Sequence, residues 1–168
     1  MSTRRSESVL IGLGGNMGDP RQNMVEALAL LDADPNCKVE QVSSFWRTPP
    51  WGKVDQPDFI NACAKVSTRL EPRDFLALCL KSEQVLKRVR AERWGPRTLD
   101  IDILFFGDRV ILENGLTVPH PRIAERAFVL VPLAEIAPER VLDGLTIGDR
   151  AKKIDQTGQS ILPGDAGR

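Results

Sequence analysis

Asp100 and Asp102 stand two residues apart in Leu99-Asp100-Ile101-Asp102-Ile103-Leu104, an otherwise apolar run. In a strand, residues two apart point the same way, so the carboxylates share one face and Leu99, Ile101 and Ile103 the other. Two carboxylates about 6 Å apart at an effective dielectric of ~20 repel by roughly 3 kcal/mol. A hard divalent cation offsets that cost; so does a solvated face or pairing with an arginine. Just upstream, Lys87, Arg88, Arg90, Arg93 and Arg97 set five positive charges in eleven residues against Glu92 alone. Gly95-Pro96 breaks regular structure there, which predicts a mobile loop over most of the run. Guanidinium forks suit phosphate oxygens, and phosphoryl chemistry needs metals and cations to neutralise the transferring group. The two clusters together point to a magnesium–ATP centre spanning Arg88 to Asp102.

Phe59 and Asn61 share a face of the alternating stretch Asp58 to Thr68, with Ile60, Ala62, Ala64 and Val66 on the other. An amide beside an aromatic ring can read the edge of a flat heterocycle stacked on that ring. Equally, Asn61 can be a structural side chain bonded to a loop backbone. His120, the only histidine, lies between Pro119 and Pro121 and fits either a phosphate contact or a structural loop. One histidine makes no histidine-rich metal site.

These residues need a scaffold. With 168 residues, 42% hydrophobic and 27% charged, the chain suits one globular domain with a sizeable core. Its net charge of zero provides no general field for nucleic acid or an anionic membrane. Cys37, Cys63 and Cys79 fit neither a disulfide framework nor zinc spacing and read as reduced core residues. The start lacks a signal segment, and no apolar run approaches the ~18 residues a bilayer span requires. The cytoplasm is the expected compartment. No Walker loop is present, and Gly12-Leu13-Gly14-Gly15-Asn16 reads as a strand-to-helix turn. Asp19-Pro20 opens a helix carrying Met24, Leu28 and Leu31, and Glu71-Pro72 opens another carrying Phe75, Leu78, Cys79, Val85 and Leu86. Leu99–Phe106 and Arg109–Leu112 read as strands joined by Gly107-Asp108. Short helices are expected near 121–126 and 133–136. The order strand–helix–strand–strand–helix–strand predicts a ferredoxin-like α+β sandwich over residues 1–154. Polar residues 155–168 read as a loose tail.

Ser43-Ser44-Phe45-Trp46-Arg47-Thr48-Pro49-Pro50, Asp55-Gln56-Pro57-Asp58-Phe59-Ile60-Asn61-Ala62, Arg93-Trp94-Gly95-Pro96-Arg97-Thr98-Leu99-Asp100-Ile101-Asp102 and Leu116-Thr117-Val118-Pro119-His120-Pro121-Arg122 closely resemble the 6-hydroxymethyl-7,8-dihydropterin pyrophosphokinase family. The likeness runs from about Val9 to Glu139. It implies the ferredoxin-like fold and a step of folate synthesis in which ATP gives its β,γ-pyrophosphoryl group to the pterin hydroxymethyl oxygen and AMP leaves. It implies two magnesium ions on Asp100 and Asp102, and catalytic roles for Arg88, Arg97 and Asp102. Glu83, Arg88, Arg90, Trp94, Arg97, Ile103, His120 and Arg126 would form the nucleotide site. The pterin would lie between Phe59 and Phe128, read by Asn61 and the backbone around Thr48, Pro49 and Trp51. Leu80 and Lys87 depart from the family's usual Gln and Gly. ATP and the pterin are the expected partners of a monomer, with no nucleic acid and no membrane. Rival readings are a nucleic-acid-binding module using the basic run with Trp94, and a ligand sensor without turnover.

Overall fold

A computed structural model of the chain describes residues 5–49, 55, 57–89 and 99–162. Strand β1 (Glu7–Gly15) is followed by α1 (Pro20–Ala33), β2 (Cys37–Val42), β3 (Trp46–Thr48), β4 (Phe59–Thr68), α2 (Pro72–Val89) and β5 (Asp100–Phe106). The sheet runs from β10 (Ser160–Ile161) through β3, β4 and β1 to β5, with β2 also paired to β4 and every pairing antiparallel. Its centre is the ferredoxin-like order expected from the sequence.

The α1 start follows the predicted chemistry. Asp19 caps the helix, its carboxylate accepting the Gln22 N–H at 3.1 Å, and Pro20 occupies the first helical turn. Met24, Leu28 and Leu31 of α1 and Phe75, Cys79 and Leu86 of α2 bury against one sheet face, with Ile60, Ala62, Ala64, Val66, Leu99, Ile101 and Ile103 beneath them. Period-two alternation thus assigns these strand residues to the core and leaves Asn61, Asp100 and Asp102 for the other face.

That other face is not bare. Helix α3 (Ala127–Ile136) packs on part of it through Val129, Leu130, Leu133 and Ile136, joined by Leu10, Cys63, Leu104 and Phe105. A 3-10 turn (Ile123–Glu125) precedes α3, so the two short helices expected become one turn and one longer helix that tolerates Pro132.

Three expectations are corrected. Gly12, Gly14 and Gly15 are strand residues of β1 rather than a strand-to-helix turn: β4 pairs with all three, and β5 with Gly12 and Gly14. Residues 109–112 do not form a hairpin with β5. Gly107 (φ 54°) turns the chain away, and Arg109 instead holds Glu7 at 2.7 Å. The hairpin belongs to β6 (Ile111–Glu113) and β7 (Leu116–Val118), joined by Asn114-Gly115, the dipeptide whose positive-φ tolerance suits a two-residue turn. Finally, residues 155–162 are not a loose tail. After the β8–β9 hairpin (Val141–Leu142, Leu145–Thr146) and α4 (Ile147–Lys153), β10 (Ser160–Ile161) joins the sheet edge opposite Arg47 and Trp46. Leu162 is buried there, and its N–H donates to the Phe45 carbonyl at 2.9 Å. Among the described residues no helix is long and apolar enough to cross a membrane.

Candidate active site

The register of β1 explains where the site lies. Gly14 faces Asn61 of β4 on one side and Asp100 of β5 on the other; Gly12 likewise faces Cys63 and Asp102. Directly opposed residues point to one face, so the middle strand contributes no side chain to either row. A cavity of about 590 Å³ opens over this bare backbone. Thr48, Phe59, Asn61, Asp100, Asp102, His120, Arg126 and Phe128 all line it. Eight side chains singled out from the sequence therefore meet at one place.

The flat-ring side is built by β3 and β4. Thr48 pairs with Phe59, and the buried Asn61 amide donates to the Thr48 hydroxyl at 3.0 Å. That bond orients the Asn61 amide, and its partner is a side chain within the cavity rather than a loop backbone. Phe128 enters from the first turn of α3, and the Arg126 guanidinium carbon lies 5.4 Å from the centre of its ring, a cation–π approach.

The charged side is built by β5 and the loop after β7. Glu83 of α2 accepts the Ile101 N–H at 2.8 Å, fixing the backbone between the two aspartates. The His120 N–H donates to the Leu104 carbonyl at 3.0 Å, which ties this loop to β5. Its Nδ1 accepts the Arg122 N–H at 3.2 Å, so the proton of the neutral ring belongs on Nε2, a donor. Burial pushes the His120 imidazole below its ordinary 6.5; the Asp102 charge works the other way, and Arg126 and Arg122 add to the depression.

Not every nominated residue lines the cavity. Ile103 points into the helix-covered core, Glu83 acts at the Ile101 backbone, and exposed Pro49 lies outside the lining. Leu80 is exposed on α2. Trp51, Arg90, Trp94 and Arg97 fall outside the described residues, as does the side chain of Arg88. Sequence reasoning missed Gly12, Gly14, Arg122, Glu125 and Leu104, which also line the cavity. Only the glycines carried a signal, their spacing of two inside an apolar run.

Among the described residues no cluster of three or more His, Cys, Asp or Glu side chains is placed to hold a metal. Two carboxylates on one wall of an open cavity nonetheless fit magnesium, which keeps water and takes phosphate oxygens for its remaining positions. The thiols offer no covalent alternative. All three cysteines are buried, and burial pushes the Cys63 and Cys79 thiols far up.

A sequence model of the family described as 7,8-dihydro-6-hydroxymethylpterin-pyrophosphokinase matches residues 10–138. The chain belongs to this family. Among curated relatives, a 2-amino-4-hydroxy-6-hydroxymethyldihydropteridine pyrophosphokinase of Methylorubrum extorquens is 45% identical over 148 residues, covering 88% of this chain and 94% of the relative. One of the same name from Synechocystis is 42% identical over 156 residues, covering 92% and 80%. The Plasmodium falciparum HPPK-DHPS structure with pteroate aligns with a TM-score of 0.72 at 17% identity, over 90% of this chain. The chain spans 45% of that longer protein, and the likeness speaks for the fold. The family match ends before β8, so the C-terminal strand that completes the sheet lies beyond it.

Proposed function

We propose that this family member transfers the β,γ-pyrophosphoryl group of ATP to the hydroxymethyl oxygen of 6-hydroxymethyl-7,8-dihydropterin in folate biosynthesis, releasing AMP. The observation that carries the reading is the shared cavity: a ring-and-amide row and a two-aspartate row stand on either side of a strand that places only Gly12 and Gly14 between them. The pterin stacks between Phe59 and Phe128, and Asn61, held by Thr48, reads its edge together with the backbone near Pro49 and Trp51. Asp100 and Asp102 would hold magnesium, taken as two ions, which would supply charge neutralisation at the triphosphate. Neutral His120 presents its Nε2–H to a phosphate oxygen, and Arg126 reaches the nucleotide from above Phe128. Arg88, Arg90, Trp94 and Arg97 complete the nucleotide side, with Arg88 and Arg97 countering charge on the transferring group.

Catalysis on this reading is positioning plus electrostatics. The hydroxymethyl oxygen is held in line with the β-phosphorus, and the bound substrates displace water that would hydrolyse ATP. ATP dependence suits the cytoplasm, and the working state is a monomer, which sedimentation would check. The deciding experiment supplies ATP, magnesium and the dihydropterin and separates the nucleotide products. AMP with pterin diphosphate is expected; ADP would refute pyrophosphoryl transfer.

A further inference from the structure

Glu135 lies outside the cavity, yet its carboxylate joins the two walls of the ring slot. Oε1 accepts the Ser44 N–H at 3.1 Å and the Trp46 indole Nε1–H at 2.7 Å. Oε2 accepts the Ser44 hydroxyl at 2.8 Å. These partners are 91 and 89 residues away in the chain, so the bonds tie α3 to the strand system and not to its own surroundings.

Both ends of this tie lead to the slot. On α3, Glu135 follows Phe128 by seven residues, about two helical turns, so both lie on the same side of the helix roughly 10 Å apart along its axis. On the sheet, Trp46 pairs with Asn61 and Thr48 with Phe59. Fixing Trp46 against Glu135 therefore fixes the Phe59–Asn61 wall against the helix that carries Phe128. The tie matters more because Pro132 lies between the two α3 residues. A proline there has no N–H for the Phe128 carbonyl, which loosens that helix internally.

We infer that Glu135 is a positioning residue that sets the gap between Phe128 and Phe59, and with it the affinity for the flat substrate. Among the described residues its three donors are neutral, and no Lys or Arg forms an ion pair with it. Charge is therefore dispensable and geometry is not. A glutamine can place its carbonyl oxygen at the two N–H donors while its amide donates to the Ser44 hydroxyl, which turns from donor to acceptor.

The inference rests on the pyrophosphokinase reading, and the test separates the two. Pterin KM and calorimetric Kd, and the KM for magnesium–ATP, are measured for wild type, Glu135→Ala, Glu135→Gln and Trp46→Phe. Glu135→Ala should raise the pterin constants at least about tenfold, the scale of a sub-ångström to 1 Å misplacement, with the ATP constant nearly unchanged. Glu135→Gln should restore wild-type values, and Trp46→Phe, which removes one of the three bonds, should fall between. Unchanged pterin constants in Glu135→Ala, equal losses for both substrates, or failure of Glu135→Gln to rescue would each overturn the inference. If Glu135→Ala fails to fold, Trp46→Phe decides: wild-type pterin binding in it overturns the inference. Absence of AMP from wild type would instead sink the reaction, while the Kd comparison still tests the slot.

Discussion

Asn61 and Asp100 stand in one row across the sheet, with Gly14 alone between them. Strands lie about 4.8 Å apart, so roughly 10 Å separates the two backbones. On the proposed reading, a bicyclic ring at Asn61 would cover much of that distance and bring its substituent toward the aspartates. No intervening side chain blocks the path.

The glycines of β1 should then differ in their tolerance of a methyl group. A Cβ at Gly14 would lie 3.0 Å from the Asn61 Oδ1, whereas one at Gly12 would meet Leu104 at 3.5 Å, an ordinary contact. Gly14→Ala should raise the pterin KM by about tenfold and spare ATP, a loss of about 1.4 kcal/mol in ground-state binding. Gly12→Ala should behave as wild type. Steady-state kinetics on both variants checks this, and equal effects would contradict the row geometry.

Asp100→Asn and Asp102→Asn should each lower kcat by at least about 100-fold, the scale of one lost electrostatic stabiliser. Each change removes a carboxylate from the proposed magnesium site, so stabilisation by the ligand should fall with it. Thermal melts with and without magnesium–ATP are the check. Ligand should raise the midpoint of wild type far more than that of either variant.

Gly158 has φ +86°, and a Cβ there would lie 2.9 Å from the Pro49 side chain. Gly158→Val combines strained backbone with that clash and should cost about 1–3 kcal/mol. Because β10 also pairs with Arg47 and Trp46, the pterin KM should rise more than the ATP KM. Denaturant unfolding and kinetics on one preparation measure both effects.

His120 supplies a pH signature. Its folded-state affinity for protons is lowered, chiefly by burial, so below about pH 6.5 the unfolded chain takes up a proton more readily. Its stabilising share is therefore present above that value and is lost as pH falls through the lower folded value. Urea midpoints between about pH 8 and about pH 5 should fall more for wild type than for His120→Asn. Parallel curves would contradict this.

Periodicity made much of this legible. Alternation set Asp100 and Asp102 against Ile101 and Ile103 in one strand, and Asn61 against Ile60 in another, because side-chain direction in a strand is a local property. Asp19-Pro20 likewise announced α1. The family likeness nominated Phe128 and Arg126, which no local pattern could bring to β4. What stayed hidden depends on long-range partners. Gly12 and Gly14 look like a turn until β4 and β5 are laid on either side of them. Ser160 and Ile161 become a strand only because Trp46 and Arg47 offer an edge. Glu135 reads as an ordinary surface acid until Ser44 and Trp46 come to it.

A sheet's outer strands present unpaired N–H and C=O groups that invite another molecule to continue the ladder. Two of this sheet's outer edges carry a deterrent. At one end β5 exposes a strand whose first residues carry the Asp100 and Asp102 charges, and Glu83 already occupies the Ile101 N–H. At the other, β10 is laid along β3. A shortened chain lacking β10 would present β3 as a template for aggregation.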